Sequence, residues 1–166
     1  QEFKNKQLAS KLKVALYIDE FTQYLDVHLG KDAIEVLTKL GYDVELFYAE
    51  SGRTYISKGF LKQAKTIALK NIASLKAFAD KGIPIVGVEP SAVLTFRDEY
   101  KRFSIASETT DAIALNSFMI EEFLASELQK GAINSELFTT EVRKIKIHGH
   151  CHQKALSNQK VTFDIL

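Results

Sequence analysis

The chain has 166 residues, 46% of them hydrophobic, which is enough to bury the core of one domain. Lys and Arg number 22 against 21 Asp and Glu, and a formal charge of +1 provides no long-range field for nucleic acid or an anionic bilayer. The single cysteine, Cys151, excludes an intramolecular disulfide, and no apolar run approaches the roughly 20 residues that a membrane span needs.

In chain order, Lys13–Ile18 reads as a buried strand that stops at the polar pair Asp19-Glu20. Gly30–Leu40 has helical spacing at Ala33, Ile34, Val36, Leu37 and Leu40, and Gly41 is placed to end it. Tyr42–Phe47 reads as a second strand. A long amphipathic helix spans Lys58–Lys81 and closes at Gly82; Ile83–Val88 is a third strand, apolar almost throughout. Ile113–Gln129 has helical spacing and is ended by Gly131. Lys144–His148 alternates like a fourth strand, and after a short helix Lys160–Ile165 reads as a fifth.

Strands alternating with helices predict an α/β, Rossmann-like three-layer domain: a mostly parallel sheet with helices on both faces. Ligand sites in such sheets lie beyond the carboxyl ends of the strands. Here those ends are Asp19-Glu20, Ala49-Glu50-Ser51-Gly52 and Glu89-Pro90-Ser91-Ala92.

Four segments carry candidate chemistry. His148-Gly149-His150-Cys151-His152 packs three imidazoles and a thiol into five residues, and those donors suit zinc or iron. The same residues also read as a buried thiol with histidines satisfying nearby backbone groups. Glu50-Ser51-Gly52-Arg53 reads either as an anion loop or as a strand-to-helix turn in which Gly52 takes a positive φ and Arg53 pairs locally; it lacks either phosphate-loop spacing. Glu89 stands where Pro90 and Ser91 open a helix, with Ser91 placed to satisfy free amides, and reads as a loop residue, a ligand or a general base. Asp19 and Glu20 read as solvated strand-end carboxylates or as an acid/base pair.

Taken together the segments resemble the cysteine-rich CCG domain of iron–sulfur oxidoreductases. That family includes the C-terminal part of FAD-linked D-lactate dehydrogenases, the glycolate oxidase iron–sulfur subunit and the cysteine-rich subunit of heterodisulfide reductase. The resemblance runs from about Val14 to Leu166. It is carried by Val14-Ala-Leu-Tyr-Ile-Asp-Glu-Phe-Thr-Gln-Tyr24, Gly52-Arg-Thr-Tyr-Ile-Ser-Lys-Gly59, Glu89-Pro-Ser-Ala92 with Arg97-Asp-Glu-Tyr100, and His148-Gly-His-Cys-His-Gln-Lys-Ala-Leu156.

The resemblance implies residues 1–12 as a linker, 13–135 as a first cysteine-rich-like repeat and 143–166 as the start of a truncated second repeat. It implies electron transfer from a flavin in a separate domain, with D-lactate or glycolate as substrate class. Glu20, Glu50, Ser51 and Ala92 fall at cluster-ligand positions of the first repeat, so that site is degenerate. Cys151 falls at a ligand position of the second repeat.

The expectation is a fragment without catalytic residues of its own. No cofactor is expected in it, while an iron–sulfur cluster in the full-length protein would use Cys151. His150 and His152 join Cys151 as candidate metal ligands, and Glu20 with Glu50 form a candidate cation pair. The expected partner is a flavin-binding domain of the same chain or of another subunit, with no nucleic acid and no direct membrane insertion. The expected setting is cytoplasmic, with membrane association through partners. The rival reading is a non-catalytic structural or docking module that has lost its cluster.

Overall fold

The computed structural model describes residues 12–103 and 108–166. Of the expected linker, residues 1–11 lie outside the described residues. Four parallel strands form one sheet in the order β2-β1-β3-β4. These are β1 Lys13–Ile18, β2 Asp43–Tyr48, β3 Ile85–Gly87 and β4 Ser117–Met119. Along β1 the side chains alternate between two buried layers, since Ala15 and Tyr17 enter one cluster while Val14, Leu16 and Ile18 enter the other. Burial on both faces is why β1 and β3 read as apolar runs.

Helix α4 (Leu61–Ala79) and α7 (Glu108–Leu115) cover the first face through Ala68, Leu75 and Ile113. Helix α2 (Val27–Lys39) and α8 (Ile120–Gln129) cover the second through Ala33, Leu37, Phe123 and Leu124. The expected three-layer α/β fold is the fold observed.

Five short helices, α1 (Glu20–Tyr24), α3 (Arg53–Ser57), α5 (Pro90–Val93), α6 (Glu99–Arg102) and α9 (Cys151–Leu156), gather near the strand ends, and α10 (Lys160–Asp164) packs on α8. Two glycines make the approach of α3 and α5 possible. Gly52 caps α3 at φ 77°, a left-handed conformation. Gly87 ends β3 where an added Cβ would lie 2.7 Å from Cβ of Val93 on α5, so α5 sits hard against the sheet.

The sequence reading departs from the fold in six places. The long helix is α4, which begins at Leu61 instead of Lys58 and is preceded by the separate short helix α3, and α2 begins at Val27 instead of Gly30. The span 113–129 is α7, β4 and α8, because Asn116 ends α7 through a bond to the Ala112 carbonyl and Glu122 accepts the Met119 amide at 2.9 Å to open α8. Lys144–His148 is exposed chain without regular structure; no strand among the described residues offers it a ladder. Lys160–Ile165 holds helix α10, started by the Asn158 side chain accepting the Lys160 amide at 2.9 Å. The amide-satisfying group at α5 is the Glu89 carboxylate, which accepts from Ser91 N at 3.0 Å and from Ser91 Oγ at 2.6 Å.

Candidate functional site at the strand ends

The carboxyl ends of β1, β2 and β3 form one rim, and hydrogen bonds close most of it. Asp19 is fully buried, against the solvated reading. Its Oδ1 accepts the Phe21 and Thr22 amides at 2.8 and 3.2 Å, and its Oδ2 accepts the Thr22 hydroxyl at 2.6 Å. It therefore caps α1. Burial raises its pKa, against the pull of those three donors.

Glu20 turns across the rim and accepts Ser51 N at 2.8 Å and Ser51 Oγ at 2.7 Å. The same Ser51 hydroxyl accepts the Arg53 amide at 3.0 Å. From below, Tyr100 donates to the Ser51 carbonyl at 3.0 Å, while Asn71 Nδ2 lies 2.7 Å from both the Glu50 carbonyl and the Tyr100 hydroxyl. Burial pushes the Tyr100 pKa well up, so the phenol remains a neutral donor. Loop 50–52 is thus held from both sides: a carboxylate above it, a phenol and an amide beneath. The Glu50 side chain is exposed, and Ala92 is fully buried with nothing to donate.

Arg53 pairs with Glu99, 46 residues away, not with a local partner. Next to that pair stands His152, whose Nε2 lies 3.9 Å from Glu99 Oε1. His150 Nε2 lies 3.8 Å from Glu89 Oε1 in the same manner. The two imidazoles stack with centroids 5.5 Å apart, and Cys151 Sγ is 3.6 Å from His152 Nδ1. Partial burial first, then the Arg53 charge, hold His152 below the usual imidazole range. An open cleft of about 380 Å³ adjoins these groups, with Arg53, Lys58, Ser91, His150, Cys151 and His152 in its walls.

Among the described residues, His150, Cys151 and His152 are the grouping of three or more metal-ligating side chains whose donor atoms lie within 4.8 Å of one another. His148 is exposed and outside that group; of the candidate cation pair, the Glu20 carboxylate is engaged by Ser51 and the Glu50 side chain is exposed. A cubane cluster takes about four thiolates. Cys151 is the one sulfur donor the rim receives, and the Glu20 carboxylate is already spent on Ser51, so the residues of this chain do not fit such a cluster. Asn71, Glu99 and Tyr100 enter the site without having been singled out as functional, and Arg53 enters it as the partner of Glu99 and not as part of an anion loop. The only signal in the sequence for the first three was that Glu99 and Tyr100 lie inside a family-like segment.

The chain is 30% identical over 153 residues to D-2-hydroxyglutarate dehydrogenase of Escherichia coli, an alignment that takes in 91% of this chain and 14% of that protein. It is 35% identical over 98 residues to one subunit of the anaerobic glycerol-3-phosphate dehydrogenase of Escherichia coli, covering 57% of this chain and 25% of that one. Lactate utilization protein A 1 of Bacillus mycoides is 24% identical over 155 residues, 90% of this chain and 60% of the relative. The chain therefore spans about a seventh of the first of these relatives. No family model matches it, and no solved structure matches it. No helix among the described residues is long and apolar enough to cross a membrane.

Proposed function

We propose that this chain is an α/β domain of an FAD-linked 2-hydroxy-acid dehydrogenase with iron–sulfur oxidoreductase character, and that its first cluster site has been replaced by a hydrogen-bonded clasp. The supporting observation is the alignment of 91% of the chain with one segment of a D-2-hydroxyglutarate dehydrogenase. The clasp of Glu20, Ser51, Asn71 and Tyr100 occupies the rim where the family resemblance implies sulfur. Residues 13–135 then form the degenerate repeat and 143–166 the start of the next.

In the oxidation itself a 2-hydroxy acid loses two electrons and two protons to give a 2-oxo acid. Flavin supplies the two-electron acceptor in a domain outside this chain. The residues of this chain touch no substrate in that scheme. They hold the rim loops rigid and present the face of α3, α5 and α9 to a neighbouring domain. The substrate class in this reading is a D-2-hydroxy acid, and the names of the relatives support 2-hydroxyglutarate as the first to try, ahead of lactate and glycolate.

The test is dye reduction by the full-length protein that contains this chain, offered D-2-hydroxyglutarate, D-lactate and glycolate in turn. Turnover of one of them by a flavin-bearing protein, with none by the 166-residue chain alone, is expected. A full-length protein that binds no flavin and oxidises none of the three contradicts the reading. The docking-module alternative is favoured by the absence of a sulfur donor at Glu20, Glu50, Ser51 and Ala92. It predicts that a full-length protein lacking residues 13–135 loses association with its flavin domain, and not merely electron flow.

A further inference from the structure

His150, Cys151 and His152 differ from the rest of the rim in leaving donor atoms open on one side and carboxylates placed on the other. Both imidazoles turn Nε2 toward a carboxylate oxygen, His150 toward Glu89 at 3.8 Å and His152 toward Glu99 at 3.9 Å. A carboxylate beside Nε2 favours the proton there and leaves the lone pair on Nδ1. For His150 this tautomer is already in use, since its Nδ1 accepts the His152 amide at 3.2 Å. For His152 the Nδ1 lone pair faces Cys151 Sγ at 3.6 Å. Each imidazole and the thiol thus offers a donor atom, and these atoms lie within 4.8 Å of one another.

Glu99 supplies an independent observation. Its Oε1 is shared by Arg53 and His152, but its Oε2 is buried without a hydrogen-bond partner. A buried carboxylate oxygen left unpaired is costly, and more positive charge on the neighbouring imidazole would offset that cost. A metal ion on Nδ1 has that effect, because it makes the opposite N–H a stronger donor.

We propose that Cys151 Sγ, His150 Nδ1 and His152 Nδ1 form a mononuclear site for a borderline divalent cation of the zinc class, with Glu99 as the positioning residue behind His152. Thiolate and imidazole select such a cation over calcium or magnesium, which take oxygen donors. Binding is redox-neutral. The Cys151 thiol gives up its proton to solvent as the metal–sulfur bond forms, and His150 Nδ1 exchanges the His152 amide for the metal. Three protein ligands leave the fourth position to water or to a donor from a partner, in the adjoining cleft. This site is independent of the oxidoreductase reading, since it concerns donors that the 166-residue chain carries itself.

The experiment titrates the 166-residue chain with Co²⁺ alone, read by thiolate-to-metal charge transfer and ligand-field absorption, and with Zn²⁺ alone against a chromophoric chelator. One equivalent with a thiolate band and a tetrahedral ligand-field spectrum is expected. Cys151→Ser abolishes the thiolate band, and His152→Ala weakens Zn²⁺ by about a hundredfold or more. Glu99→Gln weakens it by about ten- to a hundredfold with the thiolate band unmoved. In the His152→Ala background the same change has no further effect, which a merely structural role for Glu99 would not produce. Melting in chelator verifies that each variant is folded, and His152 lies on a short surface helix where truncation leaves the core intact. Absence of a thiolate band at millimolar Co²⁺, or an affinity indifferent to His152→Ala, overturns the site. An additive effect of Glu99→Gln in the double variant overturns the positioning role.

Discussion

Loop 50–52 and the His150–His152 segment sit on the same rim and have opposite characters. In the first, the buried Ser51 is fully engaged: it bonds Glu20 through its amide and hydroxyl and Tyr100 through its carbonyl. In the second, Cys151 is exposed and the two histidines line a cleft. The contrast shows that a strand-end loop can keep its place without a metal once side-chain hydrogen bonds take over the cross-links. A site meant to accept a ligand has to leave such bonds unmade.

The contrast is sharpened first by cutting the anchor of the open segment. Arg97 bonds the Ser117 carbonyl and the Glu122 carboxylate, and Ser157 at the end of α9 donates to the same carboxylate. Arg97→Ala strands a largely buried carboxylate and costs about 3–5 kcal/mol, read as a drop in urea midpoint. Next in size is Tyr100→Phe, which unpairs Asn71 and the Ser51 carbonyl beneath the clasp and costs about 1–3 kcal/mol in the same assay.

A smaller effect depends on pH. Burial pushes Glu122 up, but hydrogen bonds from Arg97, Ser157 and the Met119 amide outweigh it, and the net pKa lies below the ordinary 4.5. A carboxyl held below its unfolded value lends stability that is complete above that value and disappears as pH falls through the lowered one. Urea midpoints of the parent and Glu122→Gln therefore differ near neutrality and converge in acid as pH falls through the lowered value. The smallest effect is that of Cys151→Ser, which changes metal-free stability by less than about 0.5 kcal/mol because the thiol is exposed and its one neighbour is a histidine ring. A loss several times larger would mean that the segment is as tightly sealed as loop 50–52.

The legible part of the fold is the part governed by local patterning. Strands β1 and β3 are buried on both faces and read as apolar runs, and Gly41, Gly82 and Gly131 end three helices where the sequence places them. Strand β4 was not legible, because three residues between two helices fit helical spacing as well as alternation. Val161 and Thr162 suggest a strand by propensity, but a cap at Asn158 and packing on α8 make them helical. At the rim, the sequence marks which positions lack sulfur but not what replaces it. Arg53–Glu99 and Glu20–Ser51 join residues 46 and 31 apart, and such pairings exist only once the sheet has brought the strand ends together.

The most direct test of the clasp is the iron and acid-labile sulfide content of the 166-residue chain after anaerobic reconstitution with ferrous iron and sulfide. The account predicts no bound labile sulfide and no cluster absorption, since the rim offers one thiolate where a cubane takes about four. A stoichiometric cluster of about four iron and four sulfide per chain would contradict it.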